Sequence, residues 1–119
     1  MMPSELTLEI DTGAEVSSIN LAMYNQVFKR SKFARLKPSN IIMTGFGGST
    51  VKAVGQLTVY LGWKGKGYKE TLQVTPINSP NVLSRKMVLL MGILVPQFPV
   101  KQRQDTKVSS NIPQSTTAI

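Results

Sequence analysis

The segment Glu9-Ile10-Asp11-Thr12-Gly13-Ala14 constrains this chain more than any other stretch of it. It comes directly after the alternating apolar run Leu6, Leu8, Ile10, a pattern that predicts a half-buried strand running straight into an acidic turn. Asp11 is delivered at the strand end, where Thr12 offers a hydroxyl for a positioning hydrogen bond. Gly13 lets the backbone turn sharply and come close to a substrate or a partner chain. Asp-Thr-Gly is short enough to recur by chance, so its meaning depends on the rest of the chain.

Composition narrows the chemistry. The chain has 119 residues, enough for one domain with a core and small for a two-lobed enzyme. It contains no cysteine and no histidine, which excludes disulfide frameworks, Cys-based zinc sites, thiol proteases and every triad with an imidazole base. Catalysis is thereby left to carboxylates. Asp11 and Asp105 are the only aspartates, and Asp105 lies in a polar stretch. A site built on paired aspartates would therefore take its second one from another copy of the chain.

The formal net charge is +8, with positive residues gathered in 29–37, 64–69 and 101–107. Such a surface is either simply solvated or makes weak, nonspecific phosphate contacts with nucleic acid. No zinc knuckle, aromatic RNA-binding signature or helix-turn-helix pattern accompanies the charge, so base-specific readout is not expected. No apolar run approaches the length of a membrane span, and Met1-Met2-Pro3-Ser4-Glu5 does not read as a signal peptide, so no membrane partner is expected.

Residues 4–98 read as one globular domain. Residues 99–119, rich in Gln, Ser, Thr, Lys and Pro, read as a disordered polar and basic tail or linker. Within the domain, Val16 to Ile19 continues as a strand beyond the acidic turn. Asn20 is placed to cap a short helix through Leu21, Tyr24, Val27 and Phe28. Ile41-Ile42-Met43 leads into Thr44-Gly45-Phe46-Gly47-Gly48-Ser49 and then Val51, the pattern of a hairpin with a glycine-rich tip. Taken alone that tip is an ordinary turn. Between an acidic turn and a later apolar loop it reads as a hinged cover for an extended peptide.

Leu57, Val59 and Leu61 alternate as a further strand, Gly62 to Gly67 is a second turn region carrying a partly exposed Trp63, and Leu72, Val74 and Ile77 return. Val82-Leu83 can pass beside the Asp11 turn. Ser84 can cap a helix over Arg85 to Met91 that Gly92 closes, and Ile93-Leu94-Val95 offers one more strand.

Residues 5 to about 95 resemble a retropepsin, the aspartic protease of retroviruses and long-terminal-repeat retrotransposons, and most of all the Ty3/gypsy type. The resemblance rests on four features in order: the Asp11-Thr12-Gly13-Ala14 loop, the helix after Ser18-Ile19-Asn20, the Gly45-Phe46-Gly47-Gly48 flap, and the Val82-Leu83-Ser84-Arg85 loop and helix. It implies an all-β, closed-barrel acid protease fold, one lobe per chain, with a flap hairpin and a short C-terminal helix. It also implies a homodimer in which each copy gives one catalytic Asp11 and the two carboxylates share a proton, a dyad that needs only water, so that no metal and no organic cofactor is implied. By the same resemblance Thr12 hydrogen-bonds across the dimer, Gly13 meets substrate backbone, and Ala14, the flap residues Gly45 to Gly48, Val82 and Leu83 bind substrate. Glu15 pairs with Arg85 as structural support.

Three departures stand out: Ser84 replaces the family's glycine, adding a side chain at a tight crossing; Lys86 replaces an acidic or amide residue; and only ten residues precede Asp11, leaving little of an N-terminal interface strand. The implied function is endopeptidase cleavage of a retroelement Gag-Pol-type polyprotein, in the cytoplasm or within virus-like particles. The alternatives are a noncatalytic or domesticated peptide-binding module of the same fold, and a basic nucleic-acid-associated β domain in which Asp11 is structural.

Overall fold

The computed structural model describes residues 4–30, 35–44, 48–76, 78–93 and 103–111. Their order is β1 (Ser4–Asp11), β2 (Ser17–Asn20), α1 (Leu21–Val27), β3 (Ile42–Thr44), β4 (Thr50–Lys52), β5 (Gly55–Trp63), β6 (Lys66–Thr75), β7 (Val82–Leu83), α2 (Arg85–Met91) and β8 (Arg103–Asn111). Six strands close a barrel in the order β1-β7-β2-β6-β5-β8, and β3 and β4 form a separate two-stranded hairpin.

The alternations read from sequence become the barrel interior. Leu6, Leu8 and Ile10 of β1 face Leu57, Val59 and Leu61 of β5, Leu72 and Val74 of β6, Ile19 and Leu83 in one buried cluster. A strand sends successive side chains to opposite faces, so one apolar set per strand fills the barrel. The helices close its ends with Tyr24, Phe28, Met87, Val88 and Met91.

Both helices begin and end as their caps require. The Asn20 side chain accepts from the Met23 N–H at 2.8 Å, and the Ser84 hydroxyl accepts from the Met87 N–H at 3.3 Å. Gly92 ends α2 in the left-handed region at φ 72°, which a side chain would disfavour. The β5–β6 hairpin turns on Lys64 (φ 49°) and Gly65 (φ 81°), the two-residue turn whose twist matches the flanking strands.

Two expectations change. Residues 103–111 are not tail: β8 runs antiparallel to all of β1, from Ser4↔Ser110 to Asp11↔Arg103, and pairs with β5 at Tyr60, Leu61 and Gly62. The composition argument asked whether this segment could bury apolar surface of its own. Its contribution is instead a backbone ladder between two strand edges that the barrel would otherwise leave open. Nor does Ile93 continue as a strand after Gly92; Leu94 and Val95, like Ile77 and the other residues outside 103–111 in the expected tail, lie outside the described residues.

Candidate active site

Asp11 is the last residue of β1 and is 5% exposed. The turn after it folds back onto it: the Gly13 N–H donates to Asp11 Oδ1 at 3.0 Å, and the Ala14 N–H donates to the Asp11 carbonyl at 2.9 Å. A carboxylate that accepts from a main-chain N–H is fixed in orientation without using a flexible side-chain partner. The Arg85 N–H, at the start of α2, donates to the Ala14 carbonyl at 3.0 Å and holds the far end of the turn.

β7 lies parallel to β1, with Glu9 opposite Val82 and Ile10 opposite Leu83. Because neighbouring strand residues face opposite ways, Val82 lines the cleft beside Asp11 whereas Leu83 is fully buried in the core. Leu83 is therefore a core residue and not, as expected, a substrate-binding one.

The cleft has a volume of about 740 Å³. Asp11, Gly13, Ala14, Glu15 and Val16 form its floor, Met43, Thr44, Ser49 and Val51 come from the arms of the β3–β4 hairpin, and Thr75, Asn78, Ser79, Pro80 and Val82 form a wall. Met43 and Val51 stand opposite each other in the hairpin register. Gly45, Phe46 and Gly47, expected as the flap tip, lie outside the described residues. Gly48 is exposed with φ 81° and is not part of the lining.

Thr12 is exposed at the turn and also does not line the cleft. The Glu15 and Arg85 side chains are both exposed, and no ion pair joins them among the described residues. Their segments are tied instead by the main-chain bond from Arg85 to Ala14, which needs no side-chain charge.

Ser84 is accommodated rather than strained. It is 2% exposed, its backbone sits at φ −69° and ψ 159°, and its N–H donates to Ser17 Oγ at 2.9 Å. Ser17, fully buried on β2, donates in turn to Glu70 Oε2 at 2.8 Å, and the Ser84 hydroxyl reaches the same oxygen at 3.3 Å. The other carboxylate oxygen of Glu70 accepts the Thr71 N–H at 3.0 Å. One carboxylate thus ties β2, β6 and the start of α2 together behind the Asp11 turn.

A second polar group supports the wall. The Asn81 carbonyl accepts the Glu9 N–H at 2.7 Å while its side-chain oxygen accepts the Asn20 N–H at 2.8 Å. The Asn20 side chain, besides capping α1, donates to the Ser79 carbonyl at 2.9 Å. The sequence marks Asn20 as a cap. Its reach across 59 residues to Ser79, and the roles of Ser17, Glu70 and Asn81, have no local signal.

No protein-family model and no curated protein matches the chain. Among solved structures it matches EIAV protease complexed with an inhibitor, with a TM-score of 0.61 and 23% identity over 81% of this chain and 92% of that one. The fold is that of a retroviral protease: an all-β, retropepsin-like barrel with one short helix after the wall loop.

Proposed function

We propose that the chain is one half of a homodimeric aspartic endopeptidase of the retropepsin kind. The observation that carries this reading is Asp11 itself, a carboxylate held by the turn N–H of Gly13 on the floor of an open cleft beneath a two-stranded hairpin. Asp11 is the one aspartate among the described residues lining that cleft, so a second copy supplies the other across a two-fold axis.

In the dimer the two Asp11 carboxylates share one proton, because two carboxylates in contact do not both ionise cheaply. The ionised one takes a proton from water as the water oxygen bonds to the scissile carbonyl carbon. The protonated one donates to the carbonyl oxygen. Collapse of the gem-diol then breaks the C–N bond: the leaving nitrogen takes a proton from one carboxyl of the dyad while a gem-diol hydroxyl gives its proton to the other as the carboxylic acid forms, so the dyad returns to its one-proton starting state. Activity is favoured at acid to mildly acid pH, because the mechanism needs one carboxyl of the pair protonated.

Gly13 meets the substrate backbone at the floor, and the hairpin carrying Gly45 to Gly48 closes over an extended peptide and excludes water. Ala14, Val16, Met43, Val51 and Val82 favour a mostly apolar substrate segment. Thr12, exposed in the single chain, is available to bond across the two-fold axis. The substrate is a polyprotein of the Gag-Pol type, of Ty3/gypsy-like origin, cleaved in the cytoplasm or within a virus-like particle. The alternative is a noncatalytic module of the same fold, for which Ser84 and Lys86 are the features; the hydrogen bonds of Ser84 to Ser17 and Glu70 weigh against its crowding the crossing.

The test is cleavage of a quenched peptide library from pH 4 to 7 by the protein and by Asp11→Asn. Acid-favoured cleavage lost in Asp11→Asn is expected. Cleavage that survives the substitution contradicts the proposal.

A further inference from the structure

Two side chains of the cleft hold nothing in the fold together. Ser18 is 6% exposed and lines the cleft, yet its hydroxyl makes no hydrogen bond among the described residues. Its neighbour Ser17 points the other way, into the bonds with Glu70 and Ser84. Ser18 stands directly opposite Val82 in the β2–β7 pair and so shares the face with which Val82 meets the cleft. The second is Glu15, exposed on the cleft floor with no ion pair among the described residues. Of the described residues lining the cleft, Asp11 and Glu15 are the two that carry charge, and both are acidic on a chain of net charge +8.

Position separates Ser18 from the reacting atoms. It is level with Val82, which is level with Glu9, two residues before Asp11. Two strand spacings across and two residues along put its Cα about 12 Å from that of Asp11. That is out of reach of the scissile bond and within reach of a nearby side chain of an extended peptide. Glu15 and Ser18 are three residues apart, hence no more than about 11 Å from each other. Ala14, Val16 and Val82 line the same stretch of cleft.

We propose that Glu15 and Ser18 make this subsite specific for a lysine or arginine side chain of the substrate. The aliphatic stem lies on Ala14, Val16 and Val82, and the cationic head donates to the Ser18 hydroxyl and pairs with the Glu15 carboxylate. On the protease reading of the cleft, on which this rests, one basic position interrupts an otherwise apolar substrate segment. An apolar side chain there would strip water from the Ser18 hydroxyl and leave it unpaired, and an acidic one would meet Glu15; a cation satisfies both groups. In the dimer each copy brings one such subsite, so one stands on each side of the bond that is cleaved.

The test compares peptides that differ only by Lys, Gln, Leu or Glu at one position, scanned along an apolar sequence, at pH 6. The readout is the ratio of kcat/KM for the Lys peptide to that for the Leu peptide within each protein, so a variant's loss of dimer cancels. Wild type should favour Lys at one position by at least about tenfold, with Gln between and Glu last. A protein of net charge +8 repels a cationic peptide as a whole, so a preference for Lys belongs to the cleft. Glu15→Gln should lower the ratio about fivefold and Ser18→Val about tenfold. Ser18→Val should also keep or raise the urea midpoint, because no bond of the fold is lost and a β-branched residue suits a strand, whereas a structural role for Ser18 would lower it. A ratio near one in wild type, or one that neither variant alters, overturns the inference and leaves the protease reading standing. If no peptide is cleaved, the protease reading fails and binding decides the inference separately. Asp11→Asn should then bind the Lys peptide about fivefold more tightly than the Leu peptide by fluorescence anisotropy, and equal binding overturns it.

Discussion

Replacing Ser84 separates two accounts of the same residue. If its side chain crowds a crossing where glycine belongs, Ser84→Gly should stabilise the protein. The structure predicts the opposite sign. The hydroxyl caps α2 through the Met87 N–H and donates to Glu70, both at 3.3 Å. Losing a serine cap to alanine costs about 1 kcal/mol, and losing it to glycine only a few tenths. The bond to Glu70 is long and Glu70 is half-exposed, so water replaces part of it and about 0.5–1 kcal/mol is lost. Glycine adds further freedom to the unfolded chain.

Ser84→Ala and Ser84→Gly are therefore each expected to cost about 1–2 kcal/mol, a fall of about 1 M in the urea midpoint at an m-value of about 1.5 kcal/mol/M. Protein concentration is held fixed, because any dimer adds stability by mass action. Ser17→Ala, which leaves the buried Ser84 N–H without its acceptor, is expected to cost about 1–3 kcal/mol. The Ser17/Ser84 double variant should fall short of additivity by at least about 0.5 kcal/mol. A midpoint raised by Ser84→Gly, or strict additivity with Ser17→Ala, refutes the network.

Asn20→Ala removes a cap and the bond to Ser79 and should cost about 1–2 kcal/mol by urea unfolding. Asn20→Asp keeps the cap acceptor and loses the donor to Ser79, so it should fall between the two. A chain ending at Ile93 lacks β8 and leaves the edges of β1 and β5 open. Hydrogen exchange at Leu6 and Leu8 should then lose its protection, and retained protection would show that β8 does not close the barrel.

What the sequence disclosed was local. The alternation of Leu6, Leu8, Ile10 and of Leu57, Val59, Leu61 gave two barrel strands directly, because period-two burial is written into neighbouring residues. Asn20, Ser84 and Gly92 gave the helix ends for the same reason. The carboxylate turn was also legible, since its own bonds lie within the four consecutive residues Asp11 to Ala14.

The misses were long-range. β8 has no apolar alternation of its own, and only the unpaired edges of β1 and β5 explain it. The inward aim of Leu83 comes from its register with Ile10, 73 positions away in the chain. Ser17, Glu70 and Ser84 are unremarkable as letters and become one network only when β2, β6 and α2 meet.

The central claim is that two copies of Asp11 form one site. Wild-type protein and Asp11→Asn, each folded, are mixed at constant total concentration, allowed to exchange subunits, and assayed for peptide cleavage. If both aspartates of a dimer are needed, an equal mixture keeps roughly a quarter of the wild-type rate, the statistical share of dimers with two intact copies. A rate that falls in simple proportion, to roughly half, would mean that one Asp11 suffices and would contradict the account.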